Sequence, residues 1–307
     1  MTTYEENPPW ADKILNKHFD RLVERVGIEL MPLPELGPRD ERGVLLPVRK
    51  ARKKAPEYTE LGCGHYGCVY ETTTPGWVFK ITSDPTEAEF ITASMTLPEH
   101  ETPGIVKYKG VWQIPGELHK RRPVFVLIRE EAENVGGLIK ASDDQQDYLK
   151  ARSVMRHLEW FKELANRART KIQASKNPDI LLEVARFKPW AEGNVSYSSI
   201  ERWIREGSPW ERNTLRDWLK GAQAAAYGIQ AARIVAADMQ NEDVGYLIGE
   251  TLGYFLDEDL LLADVHANNV GQVRRKDYGG PIWVITDPGH MVPLSLERWG
   301  HIEVPEL

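Results

Sequence analysis

Two cysteines are all that the 307 residues contain, which excludes the disulfide framework that holds many small secreted domains together. Long apolar runs are also missing. A run such as V-F-V-L-I at 124–128 falls far short of the ~20 residues that a membrane-crossing helix needs. No apolar segment of a secretory leader follows the opening M-T-T-Y-E-E-N, so the expectation is a cytoplasmic, reducing setting with no membrane partner. Positive charge is in deficit as well: the formal net charge is −7, which argues against direct nucleic-acid binding through bulk positive potential. What remains is 41% hydrophobic and 28% charged, enough for a sizeable core in one large domain or two lobes.

The chain changes character along its length. Apolar residues at Trp10, Ile14, Leu15, Phe19, Leu22, Val23 and Val26 predict an N-terminal helix stopped by Gly27. Residues 31–56 hold five prolines and the basic run R-K-A-R-K-K at 49–54. They read as an irregular connector, its basic run a solvated loop before it is a docking site for an acidic partner. Short strands are expected at Leu61–Thr72, with a glycine turn inside, and at Trp77–Thr82, Ile105–Ile114 and Pro123–Arg129. Helical periodicity then dominates, over Asp144–Ser175, Pro209–Met239 and Glu242–Leu256. Strands return at 260–263, 270–273 and 282–286. The expected organisation is a helix and connector over 1–56, a strand-rich unit over 57–132 and a mainly helical unit over 133–307.

The chemistry is concentrated in three places. L-G-C-G-H-Y-G-C-V-Y at 61–70 places Gly62, Gly64 and Gly67 in a hairpin whose backbone N–H groups can approach phosphates closely, because glycine has no Cβ to hold the chain away. Thirteen residues after Gly67 comes Lys80 in W-V-F-K-I, a cation suited to a triphosphate beneath that lid; taken alone it reads as a snorkelling strand lysine. An inward lysine needs an acidic partner. T-E-A-E-F-I offers Glu87 and Glu89, and Glu89 is preferred because it adjoins the Phe90, Ile91 and Met95 stripe. The third place is late: Asp264 and Asn269 lie five apart in L-A-D-V-H-A-N-N-V, and Asp287 ends the strand I-W-V-I-T. Asn269 and Asp287 offer hard oxygen ligands for Mg²⁺, which keeps water and substrate phosphates in its remaining positions. Asp264 is left to take a proton from an attacking hydroxyl.

In this order the motifs resemble those of the protein-kinase-like superfamily, which includes protein kinases and the aminoglycoside phosphotransferases. G62-C-G64-H-Y-G67-C-V69 matches the glycine-rich loop, V-F-K80 the strand with the phosphate-binding lysine, D264-V-H-A-N-N269 the catalytic loop, and D287-P-G289 stands where D-F-G is usual. The matched span runs from about 58 to 290. The resemblance implies an α+β, two-lobed kinase-like fold with a small antiparallel-sheet N-lobe and a mainly helical C-lobe. It also implies that Gly62, Gly64, Gly67 and Val69 cover ATP, and that Lys80 orients its α- and β-phosphates. Backbone near Glu130 to Ala132 would pair with adenine, Asp264 would act as base, and Asn269 with Asp287 would hold Mg²⁺. His266 would brace the loop rather than contact substrate.

The pattern also departs from that family. Leu262-Ala263 stands where His-Arg is usual, so control through a phosphorylated activation loop is not expected. Eighteen residues follow Gly289, which implies a fold truncated after the D-P-G position and a substrate platform built elsewhere, from 143–257. Cys63 and Cys68 read as small side chains in a crowded lid in preference to a redox switch, and the tryptophans as helix packing. The expected activity is ATP- and Mg²⁺-dependent phosphorylation of a protein serine or threonine hydroxyl. The alternatives are a small-molecule kinase, such as one acting on an aminoglycoside or metabolite, and a nucleotide-binding pseudokinase that works as an interaction module. Nucleotidyl transfer would use the same residues.

Overall fold

Asp84 sets the first of the described helices. Its side chain accepts from the Thr86 N–H at 3.0 Å and the Thr86 hydroxyl at 2.8 Å, and Pro85 follows at the first helical position, where its missing N–H costs nothing. Helix α1 therefore runs Pro85–Ser94. It lies between strands β1 (Glu60–Cys63), β2 (Gly67–Glu71) and β3 (Trp77–Thr82) on one side in sequence and β4 (Tyr108–His119) and β5 (Arg122–Glu130) on the other. These five strands form one antiparallel sheet in the order β1-β2-β3-β5-β4. The computed structural model describes residues 60–63, 66–71, 75–135, 145–175, 178, 181, 196–206, 217–295, 299 and 302–306. The helix expected at Trp10–Val26 and the basic connector lie outside them, as does Gly64.

One departure from the expected strands has a local cause. Strand β4 continues to His119, and the two-residue turn that joins it to β5 is made by Lys120 and Arg121 at φ values of 50° and 67°. Such turns are usually marked by Asn-Gly or Asp-Gly, and H-K-R-R carries neither signal. The free edge of β4 is partly covered by later residues: the Gln113 N–H donates to the Pro305 carbonyl at 2.8 Å. A covered edge has fewer exposed backbone groups to template pairing with another chain.

The chain divides into two units. The first takes the described residues of Met1–Thr96, Lys107–Glu131 and Ile302–Leu307; the second takes those of Leu97–Val106 and Ala132–His301. In the second unit α2 (Gln145–Gln173) packs along α4 (Asp217–Met239), with α3 (Tyr197–Glu206) before it and α5 (Tyr246–Asp257) after. Alanines 222, 224, 225, 226, 231, 232 and 236 are buried on α4, and Val154, Leu158, Phe161 and Leu164 are buried on α2. Small side chains let the helices approach. Buried His157 ties them, its Nε2 lying 2.8 Å from Asp238 Oδ2, while the Ser153 hydroxyl donates to Glu242.

Short strands complete this unit. β7 (Leu260–Leu262) pairs with β10 (Met291–Pro293), and β8 (Val270–Arg274) lies between β6 (Glu133–Asn134) and β9 (Pro281–Ile285). The architecture is mixed α and β, with five helices among the described residues. None of the described helices is long and apolar enough to cross a membrane.

Candidate functional site

In the first unit, sheet register decides which side chains share a face. Lys80 pairs with Val69 on one side and Leu127 on the other, and Val69 pairs with Gly62. Gly62, Val69, Lys80 and Leu127 thus form a row across the sheet. A Cβ at Gly62 would meet nothing within 4 Å, whereas one at Gly67 would stand 2.5 Å from the Ile81 carbonyl oxygen. Gly67 is needed for close strand packing; Gly62 leaves open space. The start of β2 is fastened to the end of β3, since both the N–H and the hydroxyl of Ser83 donate to the Tyr66 carbonyl.

Lys80 Nζ donates to Glu87 Oε1 at 2.8 Å, with the side chains 10% and 2% exposed. This corrects the expectation that Glu89 is the partner. Glu87 lies three and four residues before Phe90 and Ile91, so it belongs to their buried stripe; Glu89 is the chain neighbour of Phe90 and is turned about 100° from it and about 160° from Ile91. Burial, reinforced by Asp84, raises the Glu89 pKa above its ordinary value.

The cysteines correct a second expectation. Cys63 and Cys68 are paired across the β1–β2 hairpin with their Cα atoms 4.1 Å apart, and they form a disulfide in place of two separate thiols. Their separation of five residues closes a loop that contains Gly64 and Gly67. At the end of β5 the Glu130 N–H donates to the Lys107 carbonyl, and the Glu131 N–H to that of Gly76. Both donors are committed within the sheet unit, while Ala132 begins the other one.

In the second unit, two loops at the ends of short strands converge. The Ala263 N–H donates to the His290 carbonyl at 2.7 Å, and the Thr286 N–H to the Asn269 carbonyl at 2.8 Å. These bonds bring the Asp264–Asn269 loop beside Asp287. The Asn269 side-chain amide donates to the Asp264 carbonyl at 2.9 Å, which engages the nitrogen end of that amide within the loop. Asp287 Oδ1 accepts from the Gly289 N–H at 3.1 Å. Gly289 has φ +60°, and a Cβ there would fall 2.2 Å from the Cβ of Asp264. The D-P-G turn and the aspartate loop therefore fit only with glycine at that position.

His266 braces its own loop. Its Nδ1 accepts from the Asn268 N–H at 3.2 Å, which leaves the ring proton on Nε2, 3.9 Å from Asp264 Oδ1. Burial and then the Lys162 charge lower its pKa, with Asp264 and Asp287 pulling the other way.

One residue of this site has no counterpart in the motifs. Lys162, from the middle of α2, places Nζ 3.1 Å from Asp264 Oδ1. Its one sequence-level signal is a lysine between buried Phe161 and Leu164 in W-F-K-E-L, which reads equally as a snorkelling helix lysine. Among the described residues no group of three or more His, Cys, Asp or Glu side chains could hold a metal. Asn269 and Asp287 provide a two-oxygen set, which suits a cation that takes the rest of its ligands from water and phosphate. No protein-family model matches the chain, and no curated protein shows significant similarity to it.

Proposed function

We propose that the protein is a phosphotransferase of kinase-like, two-lobed design that moves the γ-phosphoryl group of ATP to a hydroxyl, with a protein serine or threonine as the first acceptor class. The observation that carries this reading is the hydrogen-bonded assembly of Asp264, Asn269 and Asp287 on two adjacent loops. The buried Lys80–Glu87 pair on the sheet that bears the glycine hairpin supports it.

In this reading Lys80, held by Glu87, orients the nucleotide phosphates, while Gly62, Gly67 and Val69 present a face that a nucleotide can approach. Ala132 is a better candidate than Glu130 or Glu131 for a backbone N–H to adenine, because theirs already donate within the sheet unit. Asp264 accepts the proton of the attacking hydroxyl. Asn269 Oδ1 and the Asp287 carboxylate would hold Mg²⁺, which neutralises phosphate charge when bound. Transfer of this kind is mostly positioning and electrostatics, and the hydrogen bonds of the two loops supply positioning.

The test incubates the protein and its Asp264→Asn variant with Mg²⁺ and γ-labelled ATP over a cytoplasmic lysate, with α-labelled ATP in parallel. Label from γ-ATP on protein, lost in the variant, is the expected result. Label confined to small molecules would move the acceptor to a metabolite or drug. Label from α-ATP would replace phosphoryl with nucleotidyl transfer, and ATP binding without any transfer would leave a pseudokinase.

A further inference from the structure

Phosphoryl transfer builds negative charge at the place where the base works, so a cation is expected there. The aspartate loop brings none of its own: residues 260–273, L-L-L-A-D-V-H-A-N-N-V-G-Q-V, contain neither lysine nor arginine. His266 is committed to its own loop, since its Nδ1 accepts from the Asn268 N–H and caps that turn. The ammonium that reaches Asp264 comes from a different element, 102 residues earlier in the chain.

The setting of Lys162 is that of an aimed side chain. It is 18% exposed, on a helix whose Leu158, Phe161, Leu164 and Ala165 are fully buried, so its stem lies along the core and its head emerges at the loop. Its partner Asp264 remains 32% exposed. The pair is thus open to a substrate at the carboxylate that the proposed reaction uses.

We propose that Lys162 is a catalytic residue: its ammonium contacts the oxygens of the transferred γ-phosphoryl group while Asp264 takes the acceptor's proton. This rests on the phosphotransferase reading. In the step, the acceptor O–H bond breaks and its proton passes to Asp264. The acceptor oxygen bonds to the γ-phosphorus, and the bond from that phosphorus to the β–γ bridging oxygen breaks with its electron pair leaving on ADP. Lys162 keeps its proton throughout and balances the charge on the three equatorial oxygens. Its contact with Asp264 holds the ammonium beside the carboxylate that takes the proton.

The experiment compares the full chain with Lys162→Met, which keeps the apolar stem, and Lys162→Arg, which keeps the charge. The readouts are turnover of Mg²⁺-ATP, measured as γ-phosphate released to water or to protein, and calorimetric affinity for ADP alone and for ADP with aluminium fluoride, a mimic of the phosphoryl group in flight. Lys162→Met is expected to lower kcat about 10²–10³-fold. It should weaken the ADP–fluoride complex by at least about 30-fold while leaving ADP affinity within about threefold, with Lys162→Arg recovering a tenth or more of the lost activity. A lysine that only held α2 to the loop would leave the ratio of the two affinities unchanged, and that result overturns the assignment. An active wild type with unchanged Lys162→Met turnover also overturns it while sparing the phosphotransferase reading; a wild type that releases and transfers no γ-phosphate overturns both. Should Lys162→Met fail to fold, Lys162→Gln is measured in its place.

Discussion

Two of the lysine–carboxylate pairs among the described residues are of similar length and different construction. Lys80 and Glu87 are seven residues apart, meet at 2.8 Å and are almost wholly buried. Lys162 and Asp264 meet at 3.1 Å across 102 residues and keep the carboxylate about a third exposed. A buried pair bears a desolvation cost that only its partner offsets, so it is intolerant of losing either member. A half-open pair is weaker in structure and freer to exchange its partner for a ligand. The first is the more sensitive to losing a member and the second the more open to solvent.

The sharpest way to break that contrast is Glu87→Ala, which strands the Lys80 charge in the sheet unit. It should destabilise the protein by about 3–5 kcal/mol, read from urea unfolding monitored by tryptophan fluorescence. Asp264→Ala leaves a cation that can still reach water and should cost well under half as much. Equal losses for the two would erase the distinction between them. Next in size is Gly289→Ala. A side chain at φ +60°, with its Cβ 2.2 Å from that of Asp264, should cost about 2–4 kcal/mol in backbone strain and crowding. Any phosphoryl transfer should fall about 10²-fold through displacement of the aspartate.

What could be read in advance follows the range of each interaction. Strand β3 at Trp77–Thr82 matches its expected bounds because W-V-F-K-I-T is a short β-type run between turns, and the acidic loop is marked by residues within five positions of one another. Adjacency to an apolar residue, which favours Glu89, is a poor guide on a helix; the phase set by the Asp84 cap puts Glu87, three residues before Phe90, on its face. Lys162 was not legible at all. Nothing in W-F-K-E-L says that the helix bearing it will run past a loop 102 residues later. The cysteines were an intermediate case: five residues apart, but joined only once hairpin register sets them opposite each other.

That disulfide extends the contrast to the hairpin above Lys80. Mild reduction with a dithiol, or Cys63→Ala with Cys68→Ala, should lower stability by about 2 kcal/mol, since the closed loop is short and little chain entropy is at stake. Thermal unfolding with and without reductant measures it. A shift confined to wild type, absent from the double variant, attributes the effect to this bond; identical shifts in both would remove the disulfide from the account.

The smallest effect belongs to the glutamate that does not pair. Burial and Asp84 raise the Glu89 pKa above 4.5, so the folded state holds this proton to higher pH than the unfolded chain does. The sign follows directly. The stability that the protonated carboxyl contributes is complete below about 4.5, the unfolded value, and is lost as pH rises through the higher folded value. At neutral pH an ionised Glu89 is therefore a mild burden, reduced by its partial exposure to water. Glu89→Gln should raise the melting temperature at pH 7 by a degree or two and change it little near pH 4. Glu87→Gln at pH 7 should move it several degrees the other way, because that substitution removes the partner of a buried ammonium. Opposite signs from two carboxylates two residues apart would show that the helix phase, rather than the local sequence, assigns the ion pair.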